Sequence, residues 1–207
     1  FSFHPVKSIA AGEGGMIVTH SESLYSSLLQ LRNSGITKSD TDMTRNDGPW
    51  YYEMQQLGFN YRLSDIHAAL GLSQLEKLDG FIDRRQHIAT RYDEAFLSLP
   101  NITPLSPPSH SKSARHLYVL QCDFKSLGYT RTEVMDILRH KGIGTQVHYI
   151  PIYQHPYYRS HYGDISAQYP RANRYYDSAL SIPMYPSMSD TEIDAVIAAI
   201  QGLISHD

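Results

Sequence analysis

The end of the chain restricts the fold more than any other stretch. Ser189-x-x-Glu192 has the spacing of a capping box, in which a hydroxyl and a carboxylate satisfy open backbone N–H groups at a helix start. Ile193, Val196, Ile197, Ile200, Leu203 and Ile204 follow at helical spacing. A stripe of large aliphatic side chains is unstable in water, so this helix must lie on an apolar surface. The preceding residues supply one. His116 to Cys122 is an apolar stretch that reads as part of a strand over 115–123, and a second capping box, Thr130-x-x-Glu133, opens a helix over 130–141 that stops at Gly142. A strand over 143–149, a helix around 167–179 and a short strand near 180–183 complete the pattern. Strands alternating with helices after residue 114 predict a small α/β domain.

The first half reads differently. Gly12, Gly14 and Gly15 predict a turn, and Met16 to Thr19 a short buried strand. Ser21 or Ser23 caps a helix with Leu24, Leu28 and Leu31 on its apolar face, ended by Gly35. Residues 36–58 are polar, contain Gly48, Pro49 and Gly58, and lack apolar periodicity; a loop of that length is mobile or functional. Ser64 starts another helix, with Ile66, Ala69, Leu70, Leu75 and Leu78 on one face, and Gly80 is expected to break it. A further helical run to Leu99 carries Phe81, Ile88, Tyr92 and Phe96. The proline-rich stretch from Pro100 to Ser113 predicts a domain boundary, dividing the chain into 1–100 and 101–207.

Composition excludes several classes. Eighteen lysines and arginines nearly balance 21 aspartates and glutamates, so the concentrated positive field that nucleic acid or an anionic membrane surface requires is missing. No apolar run approaches the roughly 20 residues needed to span a bilayer. No signal-peptide pattern is visible, and a single cysteine, Cys122, permits no internal disulfide, which fits the cytoplasm. Cys122 reads as a small buried hydrophobe. The histidines lack a zinc pattern, and no metal is expected. Tyrosine (16) and histidine (11) are plentiful, with many of both between residues 148 and 176. The chain opens at Phe1, inside a motif and without methionine, and so reads as a piece of a longer protein.

That opening motif is Ser2-Phe3-His4-Pro5-Val6-Lys7, with Gly12-Glu13-Gly14-Gly15 after it. A lysine desolvated among small and apolar residues can be a free amine at neutral pH, able to form a Schiff base with an aldehyde. Ser2 offers a hydroxyl suited to a phosphate, and the glycines would let the backbone pass close to a bulky ring. By themselves these residues fit a surface lysine beside a hairpin better, and composition alone does not identify a site.

Three ordered segments change the reading. Ser-Phe-His-x-x-Lys with its trailing Gly-Glu-Gly-Gly resembles the lysine segment of the DegT/DnrJ/StrS sugar aminotransferases, which use pyridoxal phosphate (PLP). Gly58-Phe59-Asn60-Tyr61-Arg62-Leu63-Ser64-Asp65 is similar to that family's Gly-x-Asn-x-Arg helix entry, and Gly144 to Tyr153 is similar to its His-Tyr-x-Pro segment. Within the family the likeness is nearest to the aminotransferases of pseudaminic acid biosynthesis, which act on a UDP-linked 4-keto-6-deoxy amino sugar.

The resemblance implies an α/β chain made of the end of a fold-type I PLP-transferase large domain plus a small C-terminal α/β domain. It implies that Lys7 carries PLP and moves protons, that Ser2 binds the cofactor phosphate, and that Asn60 reaches the phosphate held by the other subunit of a homodimer. His4 would meet the cofactor or sugar nucleotide, or be a packed histidine. Arg62 would contact a nucleotide phosphate or close a structural ion pair, and His148 and Tyr149 would approach the sugar nucleotide or pack in a core. Tyr153 to Tyr158 would stack on a base or sugar, or form a packed loop. The implied reaction is transamination of a nucleotide ketosugar, with glutamate as amino donor, in the making of a surface glycan. A dTDP- or GDP-linked ketosugar, a cyclitol ketone, or a non-catalytic dimerisation fragment are the other readings. A sugar dehydratase is disfavoured, because such relatives replace the lysine with histidine. The aspartate that pairs with the pyridine nitrogen is expected ahead of Phe1, so residues 1–207 alone should be inactive.

Overall fold

The computed structural model describes residues 1–108 and 110–204, and the chain divides into two compact units, Phe1–Leu78 and Asp79–Asp207. The proline-rich stretch therefore lies inside the second unit.

In the first unit, helix α1 (Glu22–Arg32) starts as predicted, with the Ser21 hydroxyl accepting from the Leu24 N–H at 3.3 Å. Two short strands, β1 (Ile36–Thr37) and β2 (Glu53–Met54), pair antiparallel at the base of the polar loop. Helix α2 (Asp65–Leu75) is capped by Ser64. The residues after α1 run against those before α2. Phe59 N–H donates to the Leu31 carbonyl at 2.7 Å, Ser34 N–H to Phe59 and Tyr61 N–H to Arg32. The two backbones are so close that a Cβ on Gly58 would lie 2.1 Å from the Gly35 nitrogen, which is why glycine stands at both places.

Two expectations fail here. Met16 to Thr19 form no strand beyond the Ser2–Gly15 bridge, and Ile17 and Val18 are about two-thirds exposed. A strand is buried only where others pair with it or cover it, and none does so among the described residues. Gly80 breaks nothing. Helix α3 (Leu78–Phe96) runs through it, and the break falls at Glu76–Lys77, where Lys77 N–H turns back to the Gln74 carbonyl. A glycine near a helix start costs only about 1 kcal/mol, and packing of the rest of α3 outweighs that.

The second unit holds the core. Strands β3 (Ile102–Pro104), β4 (Tyr118–Cys122) and, later in the chain, β5 (Ala179–Ile182) form an antiparallel sheet in the order β3-β4-β5. The register pairs Thr103 with Gln121 and Val119 with Ser181. The proline-rich stretch thus begins as a sheet edge, where a missing N–H is tolerated. Helix α4 (Arg131–His140) has its capping box, and Gly142 follows it at φ 77°. The tyrosine-rich segment hides a short helix, α5 (Pro156–Tyr162), missed because proline at a first helical position reads as loop. Helices α6 (Pro170–Ser178) and α7 (Asp190–Gln201) complete the unit, α7 with the second capping box.

Ile88, Tyr92 and Phe96 of α3 join Val134, Leu138, Ile193, Ile200, Tyr118, Leu120 and Leu180 in one buried cluster. Each such side chain stabilises by roughly 1.5–3 kcal/mol. Cys122 lies in this cluster, and burial pushes its thiol up to about 12, as suits an inert core residue. The strand expected over 143–149 shrinks to a bridge between Gln146 and Ser181. Beyond it side chains take over the backbone pairing: Val147 N–H goes to the Gln146 side chain, and the His148 carbonyl accepts from Tyr175.

Candidate functional site

Residues 1–16 close on themselves as a hairpin with Lys7 in its turn. Phe3 N–H donates to Gly14 (2.9 Å), Met16 N–H to Phe1 (3.1 Å), and Ala11 N–H to Phe3 (2.9 Å). The Lys7 N–H donates to the His4 carbonyl at 2.9 Å, which fixes the turn that carries the side chain. Lys7 is half-buried, and among the described residues its amine makes no ion pair or hydrogen bond. Ser2 Oγ receives only a long bond from His4 N–H, 3.4 Å, so its own proton is free to donate. His4 is exposed, 4.0 Å from the Glu13 carboxylate.

The glycines also let the hairpin lie close to its neighbours. A Cβ on Gly14 would lie 2.8 Å from Leu63 Cδ1, one on Gly12 3.1 Å from the His67 ring, and one on Gly15 2.9 Å from the Phe1 carbonyl. Ala11 likewise faces Gly71. The lysine hairpin is thus seated on the entry and first turns of α2; larger residues at 12 or 14 would lift it off, and one at 15 would push apart the hairpin's own two arms.

The same helix entry carries Asn60 and Arg62. Asn60 is held through its backbone, in a bridge with Asn33, and its exposed amide makes no hydrogen bond among the described residues. Arg62 donates from Nη1 to the Asn33 side chain at 3.0 Å, so part of its guanidinium is engaged in holding this turn. Ser2, His4, Lys7, Asn60 and Arg62 all belong to the first unit. His148 and Tyr149 belong to the second, where the half-buried His148 ring meets Ser181 and the exposed Tyr149 ring stands edge-on to it. In the tyrosine-rich segment Tyr153 bonds Asn173 and stacks on Tyr169, while Tyr157 and Tyr162 are exposed.

An amine, a hydroxyl and an amide without competing partners are a donor set that fits an aldehyde-bearing phosphate ester. The structure adds Ser181 and Tyr175, which the sequence did not single out. Neither stands in a motif, and only the fold brings them to His148.

Residues 1–201 match the DegT/DnrJ/EryC1/StrS aminotransferase family, and the chain belongs to that family. It is 42% identical over 205 residues to the spore coat polysaccharide biosynthesis protein SpsC of Bacillus subtilis, covering 99% of this chain and 53% of SpsC. It is 39% identical over 189 residues to a UDP-4-amino-4,6-dideoxy-N-acetyl-beta-L-altrosamine transaminase of Campylobacter jejuni, 91% of this chain and 47% of that one. Helicobacter pylori PseC, an aminotransferase involved in the biosynthesis of pseudoaminic acid, superposes with a TM-score of 0.88 at 30% identity, over 100% of this chain and 53% of PseC. The putative sugar aminotransferase Spr1654 of Streptococcus pneumoniae, solved in its PLP form, gives 0.82 at 27% identity over 100% of this chain and 51% of Spr1654. The chain spans about half the length of the curated relatives it matches. Its fold is that of part of a PLP aminotransferase.

Proposed function

We propose that the full-length protein is a PLP-dependent aminotransferase that aminates a nucleotide-linked 4-keto-6-deoxy sugar, UDP-linked, in the biosynthesis of a surface glycan. The observation that carries this is the unpaired amine of Lys7, half-buried in the turn of a hydrogen-bonded hairpin seated on the helix entry that bears Asn60. The names of the Campylobacter and Helicobacter relatives support the amino-sugar substrate, and glutamate is the proposed donor.

PLP, when bound, supplies an electron sink for the carbon that loses its proton. The chain's residues do the rest. Lys7 would hold the group through Nζ and, once its amine is released, would take up and return a proton at that atom as general base and acid. Ser2 Oγ donates to the phosphate, and the Asn60 amide donates to the phosphate held by the partner in a cytoplasmic homodimer. His4, Arg62, His148 and Tyr149 orient the sugar nucleotide, Arg62 through the part of its guanidinium that Asn33 leaves open. Residues 1–207 alone should bind PLP poorly and turn over little.

The test is Lys7→Ala in the full-length protein. It should abolish turnover and the visible absorbance of enzyme-bound PLP, and a variant with wild-type turnover would contradict the assignment. Assays with UDP-, dTDP- and GDP-linked ketosugars and a cyclitol ketone separate the substrates.

A further inference from the structure

His148 is the most tightly positioned of the proposed substrate contacts. Its Nδ1 lies 2.8 Å from the Ser181 hydroxyl, and its backbone carbonyl accepts a hydrogen bond from the Tyr175 hydroxyl at 2.9 Å. Ser181 is the one polar side chain in β5, whose four residues, Ala-Leu-Ser-Ile, are all buried. A buried hydroxyl needs a partner, and the imidazole of His148 is that partner here. Ser181 cannot drift. Its N–H donates to the Gln146 carbonyl (2.8 Å), its own carbonyl accepts from Gln146 N–H (3.1 Å), and it faces Val119 in the register of β4. Tyr175 is set by α6, the helix that leads directly into β5.

One ring nitrogen of His148 is therefore tied to a sheet, and its backbone to a helix. A hydrogen bond at Nδ1 fixes the orientation in which the ring presents its other nitrogen. We propose that Ser181 and Tyr175 are positioning residues: they present the His148 imidazole, in one orientation, to the nucleotide-linked sugar. The inference rests on the reading of His148 as a sugar-nucleotide contact. It goes beyond that reading by naming what sets the affinity of the contact, since a ring free to rotate would lose orientation entropy on each binding event.

The test uses the full-length protein, steady-state kinetics with the UDP-linked ketosugar, and the 15N resonances of the His148 ring. Ser181→Ala should raise the KM for the nucleotide sugar about fivefold, the size expected for one orienting hydrogen bond. It should leave the KM for the amino donor unchanged and shift the His148 Nδ1 resonance. Tyr175→Phe removes one oxygen and keeps the ring, so it reports even if the strand variant folds badly; a KM rise of about two- to threefold is expected. Added to His148→Ala, Ser181→Ala should have no further effect. An Nδ1 resonance that stays put in Ser181→Ala, or losses that add in the double variant, would overturn the proposal and leave the active-site reading standing. A His148→Ala variant with wild-type KM for the nucleotide sugar would remove His148 from the site and overturn the proposal with it.

Discussion

Arg85 sits in the buried face of α3 beside Ile88 and Ala89, only 5% exposed, and its Nη1 reaches three backbone carbonyls, those of Met184 (2.9 Å), His116 (3.1 Å) and Arg115 (3.4 Å). In the sequence it is one of a pair of arginines in a polar run, and nothing about it predicts burial, because its acceptors are backbone atoms that no residue letter reveals. Ser181 carries no signal for a different reason, since it stands in no motif and only the fold brings its hydroxyl to the His148 ring, whereas Lys7 stands out in the sequence only through its ordered company of motifs. Arg85→Ala should leave those carbonyls, the buried one of Met184 above all, without their donor. The expected loss is about 3 kcal/mol, since unsatisfied buried acceptors cost more than an average hydrogen bond contributes. A urea unfolding midpoint of Arg85→Ala equal to wild type would show that the carbonyls find other donors. Arg85→Lys should recover only part of the loss, because its ammonium sits on a shorter stem and, being more strongly hydrated than a guanidinium, costs more to bury.

Among the elements, those with a self-contained signal were readable. Thr130 with Glu133 and Ser189 with Glu192 start their helices as the capping pattern predicts, since both partners of each bond lie within four residues. The 36–58 loop was not, because much of its order comes from scattered side chains that converge on one carboxylate. Glu53 accepts from the Thr44 hydroxyl (2.7 Å) and backbone N–H (2.8 Å), the Tyr51 hydroxyl, the Gln55 amide and Arg45 N–H. The bonds from Thr44, above all, hold its carboxyl down at about 2. Folding therefore favours the ionised form. The stabilisation is whole above the ordinary carboxylate value near 4.5 and is lost as pH falls from there towards 2. Trp50, the chain's single tryptophan, is exposed on this loop and reports on it. In residues 1–207 its fluorescence should change between pH 4.5 and about 2, and Glu53→Gln should show the acid-form signal already at pH 7. A flat acid titration in wild type would mean that Glu53 does not organise the loop.

At the scale of the whole chain the two units differ most in what they bury. Ala11 is the only buried apolar side chain of the first unit among the described residues, while the second holds all the fully buried large ones. Helices α1 and α2 have no buried residue, and Ile66 on the predicted apolar face of α2 is 82% exposed. Apolar periodicity shows that a face wants cover; it does not show where the cover comes from, so the stripe was legible and its exposure was not. Isolated helices of this length are marginal in water, and exposed apolar surface of this extent marks an interaction face. Part of it would be covered in the homodimer proposed above. In residues 1–207 as a separate chain, amides of α1 and α2 should therefore exchange within the fastest class, while those of β4, β5 and α7 should be protected to near the global unfolding free energy. Brief proteolysis should cut first within residues 1–78 and leave a resistant product containing α3 to α7. Protection of α2 equal to that of β4 would show that the first unit holds itself together without the burial its sequence asks for.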